Sequence, residues 1–333
     1  MARDNKGKLS ISTENGVKDL MFFEGSEKKL EIIVTASTPN LRELDVSFWS
    51  ALVNCAHAEI LSHIGNTKCD AYLLSESSLF VWHDRFLILT CGTSTLVDAA
   101  CYFIDALGSS SMALVSYQRK NEYQAHLQAS SFADDISKLR QRIAGNACRV
   151  GHLDSHHHYF FCSDSDYQAA KNDCTSELLM YHIRGEFADY LNRGPHSCDE
   201  LCAAFGFKHL FPEFEIDAHL FTPTGFSMNG LWGKYYVTLH VTPQSDKTCA
   251  SSYVSFETNL DLARYSHNLL GRLLTLFAPE SWDIINFNTD YSTQEFPAHL
   301  CLASGSFTTE QGYHIGFSHY QQLQTEVLIP ELM

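Results

Sequence analysis

AYLLSESSLFVWHDRFLILTCGT, residues 71–93, is the stretch on which the fold turns. Ala71 to Phe80 and Phe86 to Thr90 are β-rich runs, and the polar His83-Asp84 between them marks a reversal, so the segment predicts a β-hairpin. Inside the first run, Ser75-Glu76-Ser77-Ser78 interrupts an otherwise apolar strand, and polar residues at such a place ask for a reason.

Working outward, Glu31 to Val34 reads as a strand. From Leu44 to Ile64, Val46, Trp49, Leu52, Val53, Ala56, Ile60 and Ile64 recur at helical spacing, with Gly65 as a C-cap. Thr95 to Leu107 and Phe132 to Ile143 repeat the helical pattern around a strand at Met112 to Tyr117. Further strands are expected at His158 to Cys162, Tyr235 to Val241, Tyr253 to Phe256 and Trp282 to Phe287, with a helix at Leu260 to Phe277. Mixed elements joined by hairpin-like connections imply an α+β class with largely antiparallel sheets. Residues 1–20 are polar and patternless and read as a flexible arm, with a single domain over 21–333. No Pro/Ser linker, short repeat or low-complexity tract divides it.

The composition sets limits on function. Of 333 residues 45% are hydrophobic, enough for a large core, while 39 acidic against 23 basic residues leave a net charge of −16. That balance argues against nucleic acid or an anionic membrane, whose binding needs basic patches, and suits a small cation better. The 11 cysteines are odd in number and scattered, unlike a disulfide framework, and read as reduced thiols. With no apolar leader and no membrane-length apolar run, the expected location is cytoplasmic.

Several chemistries lack their signatures: there is no GxGxxG, Walker A loop, HExxH or GxSxG. His156-His157-His158, with His152 nearby, would alternate across a strand and make a poor three-ligand set, so a solvated strand end and no metal are expected. Cys198 and Cys202 stand at i, i+4 on a helical pattern with no second cysteine pair to complete a zinc site.

Four segments resist a purely structural reading: Phe22-Phe23-Glu24-Gly25-Ser26-Glu27-Lys28, the LSESS run at 74–78, Thr90-Cys91-Gly92-Thr93, and Phe221 to Gly230 with Leu239-His240-Val241-Thr242-Pro243. Together with SFETN at 255–259 they resemble the eukaryotic-type S-adenosylmethionine decarboxylase proenzymes, from about Met21 to about Leu260. The resemblance implies a four-layer αββα sandwich of two similar halves. It implies self-cleavage between Glu76 and Ser77 into a β chain, 1–76, and an α chain, 77–333. Ser77 would become a pyruvoyl group, which takes the substrate amine in a Schiff base and acts as the electron sink for loss of carbon dioxide. The product would be decarboxylated S-adenosylmethionine, the aminopropyl donor of spermidine and spermine synthesis.

By the same resemblance, Glu27, Ser227 and His240 assist maturation, His240 being the base for the elimination step. Cys91 returns a proton to the substrate α-carbon. Phe23 and Phe221 sandwich the adenine, Glu24 supplies negative charge, and the Glu76 backbone reads the adenine edge. Gln244 stands where the family has the glutamate that holds the ribose hydroxyls, and an amide offers one acceptor oxygen in place of two. Asp173, Thr175, Glu177 and Glu257, with Glu31, match an acidic cluster that binds putrescine in some members. Leu89 replaces its linking lysine, and Ser116 and Gln118 replace two neighbours, so the cluster is expected to keep its charge and lose its connection to the active site. Two alternatives stay open: a pyruvoyl decarboxylase of another amino acid such as ornithine or arginine, or a regulatory paralogue. A homodimer and a heterodimer with a paralogue are both compatible with the sequence.

Overall fold

A computed structural model describes residues 23–194, 196–222, 225–243, 252–261, 268–289, 299–323 and 327. The N-terminal arm, Phe22 and Gln244 lie outside the described residues. The first half of the chain builds one sheet from β1 (Lys28–Val34), β2 (Ile60–Gly65), β3 (Asp70–Leu74), β4 (Ser77–Val81), β5 (Arg85–Thr90), β6 (Met112–Lys120), β7 (Gly145–Gly151) and β8 (His157–Ser163). The second half builds another from β9 (Thr175–Ile183), β10 (Glu215–Leu220), β11 (Phe226–Trp232), β12 (Tyr235–Pro243), β13 (Ser252–Thr258), β14 (Pro279–Phe287), β15 (His299–Thr308) and β16 (His314–Gln322). The strand orders are 2-3-4-5-1-6-8-7 and 10-11-12-13-9-14-16-15. Adding eight to each number of the first order gives the second, so the halves share one antiparallel topology, as the resemblance implies.

Four layers follow from where apolar side chains point. Helices α1 (Val46–Cys55), α2 (Leu96–Leu107) and α3 (Phe132–Leu139) cover the outer face of the first sheet, burying Trp49, Leu52, Phe103 and Leu139 against Leu30, Ile32, Leu79 and Ile88. On the second sheet lie α4 (Gly185–Asn192), α5 (Cys198–Phe205), α6 (Phe207–Leu210) and α7 (Leu269–Phe277), where Phe205, Leu273 and Phe277 pack on Met180, Met228 and Leu239. Between the sheets, Leu114 and Phe160 meet Leu179, Ile285 and Phe317 at one end, while Phe80 and Leu89 meet Leu231 and Tyr236 at the other. The ten described cysteines are free. Among the described residues, no helix is long and apolar enough to cross a membrane.

Three expected elements differ. The helix over Leu44–Ile64 ends at Cys55, His57 turns the chain at φ 61, and Ile60–Gly65 is an edge strand. Ile60 and Ile64 are four apart, a spacing that shares a face in a helix and in a strand alike. Ala71–Phe80 is two strands, with Leu74 opposite Ser77 across a turn at Ser75-Glu76. Both faces of β4 are covered, so it carries no alternation to reveal the break. The helix expected over Leu260–Phe277 is α7, which starts at Leu269, and residues 262–267 lie outside the described ones.

Candidate active site

The turn between β3 and β4 places Glu76 and Ser77 at the end of the first sheet, facing the start of the Cys91 loop. Ser77 has φ 141, a conformation that L side chains rarely adopt. Such backbone strain costs on the order of 1–3 kcal/mol, and it sits on the residue that follows the Glu76–Ser77 peptide bond. The Glu76 carbonyl accepts from the Cys91 N–H at 3.0 Å and from the Cys91 thiol at 3.4 Å. Two donors on one carbonyl oxygen withdraw electron density from its carbon and stabilise an oxyanion there. The Ser77 hydroxyl is buried and makes no hydrogen bond among the described residues.

The second sheet supplies a chain of polar groups. Ser227 and His240 are cross-strand partners on β11 and β12, and His240 Nδ1 is 2.7 Å from Ser227 Oγ. His240 Nε2 lies 2.7 Å from Thr238 Oγ1 and 3.2 Å from Ser78 Oγ. Ser78 in turn donates to Asn229 Oδ1 at 2.6 Å, and Thr238 donates to the same oxygen at 3.0 Å. Burial pushes the imidazole down to about 3, so His240 is neutral near pH 7 and has room for a proton. Ser78, Thr238 and Asn229 complete this network. Ser78 and Asn229 lie inside the LSESS and GFSMNG motifs, whereas nothing in the sequence around Thr238 hinted at a role.

The segment before β1 crosses between the sheets. Glu27 accepts from Ser255 Oγ at 2.5 Å. Burial, reinforced by Glu257 and Glu177, pushes its carboxyl up to about 8. Glu24 is held by the N–H groups of Ser26 at 3.2 Å and Gln124 at 3.1 Å, and its carbonyl accepts from Gly92 at 2.7 Å. Gly92 has φ 65, and a Cβ there would fall 3.0 Å from Phe23 Cζ and 3.1 Å from Glu76 Oε2. Phe23 is 39% exposed at the edge of this space. Phe221, half-buried at the end of β10, packs edge-on to His219 at 4.7 Å. Cys91 is buried, and burial together with Glu76 and Glu27 raises its thiol well above the usual value, leaving it protonated. Burial also pushes the Glu76 carboxyl up to about 7.

Lys28 is a site residue that sequence reading missed. Its ammonium donates to the Gly92 carbonyl at 3.1 Å and to Gln128 Oε1 at 2.9 Å. Burial and the nearby Arg119 push it down to about 8. The sequence reading gave Glu27 a role and none to Lys28 beside it, and both side chains are buried.

The acidic cluster departs from expectation. Lys29 Nζ is 2.5 Å from Glu177 and 2.9 Å from Glu257, all three buried, and Tyr236 donates to Glu257. Arg85 pairs with Glu31 at 3.1 Å and with Asp173 at 2.9 Å, and Tyr313 donates to Asp173 at 2.7 Å. Thr175 opens β9 opposite Phe287, over whose ring Lys29 stands at 5.4 Å. The expected loss of a connecting cation is therefore corrected. Leu89 and Lys29 are cross-strand partners on β5 and β1, so an ammonium missing at one position is supplied from the strand beside it. Lys29 also acts on the Glu27 carboxyl, lowering its proton affinity. Ser116 and Gln118 face Glu31 and Lys29 from β6.

The histidine run is corrected too. His157 and His158 are buried, and only the His156 side chain is partly exposed, at 21%. Lys120 and the second sheet close over the strand end that was expected to be solvated.

The sequence matches the adenosylmethionine decarboxylase family over residues 20–330. It is 30% identical to an S-adenosylmethionine decarboxylase proenzyme of Dictyostelium discoideum, covering 92% of this chain and 87% of that one. For the proenzyme of Xenopus laevis the identity is 32%, over 78% and 82% of the two chains. In fold, the Trypanosoma brucei AdoMetDC-delta26 monomer superposes with a TM-score of 0.55 at 22% identity, over 74% of this chain and 99% of that one. A family match over nearly the whole sequence, relatives at 30–32% identity aligned over most of both chains, and a site assembled from the motifs that carry the likeness agree: the chain belongs to the adenosylmethionine decarboxylase family.

Proposed function

We propose that this protein cuts itself between Glu76 and Ser77 and then decarboxylates S-adenosylmethionine. The observation that carries the reading is the Glu76–Ser77 junction, where a strained residue with a free hydroxyl follows a carbonyl polarised by two Cys91 donors. In the cleavage, Ser77 Oγ attacks the Glu76 carbonyl carbon, the C–N bond breaks, and the freed Ser77 nitrogen takes a proton, leaving an ester. His240, neutral and oriented by Ser227, is the base suited to removing the Ser77 α-proton. The Cβ–O bond then breaks, releasing the Glu76 carboxylate and leaving a dehydroalanine, which takes a proton on Cβ and loses one from nitrogen to become an imine that water converts to a ketone and ammonia.

The residues fit a pyruvoyl group at position 77. Once formed, it supplies an electrophilic carbonyl that captures an amine and draws electrons from the bond to the departing carbon dioxide. The protonated Cys91 thiol is placed to return a proton to the substrate, and Phe23, Phe221 and the buried Glu24 suit adenine and a sulfonium cation. A regulatory paralogue accords poorly with a complete set of Ser77, Cys91, Ser227 and His240. Ornithine or arginine as substrate would leave the paired aromatic residues without a role. Reduced thiols accord with a cytoplasmic location.

Lys29 and Arg85 place two cations within the acidic cluster, where a diamine would otherwise be needed to offset buried carboxylates. Accordingly, the enzyme works without putrescine and responds to it weakly or not at all. Intact-mass measurement of the purified chain tests the central claim. Fragments ending at Glu76 and starting at residue 77 are expected, with release of labelled carbon dioxide from carboxyl-labelled S-adenosylmethionine. A Ser77→Ala chain that still splits, or a wild-type chain that splits elsewhere, refutes it.

A further inference from the structure

Beside the Glu24–Glu27 segment, in the space between the sheets, Asp283 on β14 is fully buried and ringed by imidazoles. His319 Nδ1 is 2.7 Å from Asp283 Oδ1, and His156 Nδ1 is 3.1 Å from Oδ2. The two rings stack at 4.0 Å with 17° between their planes, and the three ligand atoms lie within 4.8 Å of one another. His158 Nε2 is 3.8 Å from Asp283 Oδ2, buried, and without a hydrogen-bond partner. A neutral imidazole nitrogen aimed at a carboxylate but too far to bond it marks room for something between them.

The geometry points to a binding site for a divalent transition-metal ion of the zinc class, with His156, His319 and Asp283 as ligands and His158 completing the set. Imidazole nitrogens with one carboxylate suit zinc, at bond lengths of about 2.0–2.2 Å. In a tetrahedral site those lengths put ligand atoms roughly 3.3 Å apart, so the 2.7 Å contact to Oδ1 and the 3.1 Å contact to Oδ2 must open by roughly 0.6 and 0.2 Å while the ligand atoms, spread over up to 4.8 Å, draw together around the ion. The His156 and His319 Nδ1 atoms now donate to the Asp283 carboxylate, so on binding an ion each ring shifts its single proton to Nε2 and turns the freed Nδ1 lone pair to the metal. Tyr181 donates to Asp283 Oδ2 at 2.7 Å, an outer contact of the kind that orients a metal-binding carboxylate. The partly exposed His156 gives the ion a way in.

The ligands come from both halves: His156 from the turn just before β8 and His158 from β8 itself, and Asp283 and His319 as cross-strand partners on β14 and β16. An ion here would staple the halves together. Tyr181 packs at 5.4 Å on Tyr253, whose Cβ lies 2.6 Å from where a Cβ on Gly25 would stand, so the staple reaches the Glu24–Glu27 segment through two rings. Lys120 is the competitor: its ammonium is 3.8 Å from Asp283 Oδ2 and offsets the same charge when no ion is bound.

The test is dialysis of the EDTA-stripped full-length protein against zinc and, separately, cobalt, with bound metal counted by plasma mass spectrometry. About one zinc per chain is expected, together with a raised melting temperature and the intense visible bands of tetrahedral cobalt. His319→Ala and Asp283→Asn should abolish all three, and His156→Gln, at the exposed ligand, should weaken binding at least tenfold in a chain that keeps its fold. Lys120→Gln should tighten it. Failure of the wild-type chain to hold stoichiometric metal would overturn the proposal, as would binding that survives His319→Ala and His156→Gln, which would place the ion on surface groups.

Discussion

Removing the Lys29 ammonium tests whether the acidic cluster is neutralised from within. Lys29→Ala leaves Glu177 and Glu257 facing each other without their shared cation, beside Glu27. Breaking a buried ion pair from one side costs about 3–5 kcal/mol. With an unfolding entropy of about 2.1 cal/mol/K per residue over 333 residues, that corresponds to a fall of roughly 4–7 °C in melting temperature. The loss should depend on pH in a definite sense. Folding raises the Glu257 and Glu27 carboxyls from 4.5 to about 7 and about 8, so their unfavourable ionisation develops as pH rises through that window. Without Lys29 both move further up, and the gap between variant and wild type should be smallest near pH 5 and widest near pH 8. Putrescine or methylammonium should restore the variant's decarboxylation rate by filling the vacated space, while wild type changes by less than about twofold. Thermal melts across pH and initial rates across an amine titration at fixed ionic strength are the assays. A wild-type rate that climbs tenfold or more with putrescine, or a Lys29→Ala chain indistinguishable from wild type at pH 8, would refute the reasoning.

Cys91→Ala keeps the backbone N–H on the Glu76 carbonyl and loses only the thiol contact, a weak hydrogen bond of about 0.5–1 kcal/mol, so self-cleavage should slow roughly two- to fivefold. Decarboxylation should fall far more, with the cofactor converted to alanine by misplaced protonation, and cofactor survival by peptide mass decides it. His240 is lowered from 6.5 to about 3, so folding loses stability as pH drops from 6.5 toward 3. His240→Asn should remove that acid limb from urea midpoints, and an unchanged acid limb would show that the imidazole is charged in the folded state. Ser78→Ala should still cut after Glu76, because Ser77 is the attacking hydroxyl, and a product ending at Ser77 would reassign the nucleophile. Gln244→Glu should lower KM for S-adenosylmethionine by about tenfold, the equivalent of one charge-assisted hydrogen bond of about 1.4 kcal/mol, and faster release of carbon dioxide from ornithine or arginine would overturn the substrate assignment.

The sequence showed the hairpin at 80–90 and the helix at 96–107 plainly, because turn polarity and helical period are local. It concealed the break at Ser75-Glu76 and the edge strand at Ile60–Gly65, where both candidate structures satisfy the same apolar spacing. Ser77, Cys91, Ser227 and His240 were legible as motifs; the fold puts the first two at the ends of neighbouring strands of one sheet and the last two on the other, and the hydroxyl that reaches His240 across the gap, at 3.2 Å, is that of Ser78. Lys29 was invisible for a different reason. Its partners Glu177 and Glu257 are far along the chain on β9 and β13, and nothing in the local sequence KKLEIIV distinguishes a buried lysine from a solvated one. The histidine run was misread for the same reason, since its partner Asp283 belongs to the other sheet.

The cleavage proposed after Glu76 would have a structural consequence that the strand order fixes. The short chain keeps β1, β2 and β3, and β1 sits inside the first sheet, paired with β5 on one side and β6 on the other. Leu30, Ile32, Ile33 and Val34 of β1 are buried, worth roughly 1.5–3 kcal/mol each on exposure to water, and α1 adds Trp49, Leu52 and Val53. The short chain also carries Glu24, Glu27, Lys28 and Lys29, while the long chain carries Cys91, Ser227, His240, Glu177 and Glu257, so neither holds the site alone. The two products should therefore run as separate bands on a denaturing gel yet elute as one species in gel filtration, parting only at denaturant concentrations that unfold the whole protein. Release of residues 1–76 in native buffer would mean that β1 does not hold the central place the topology gives it.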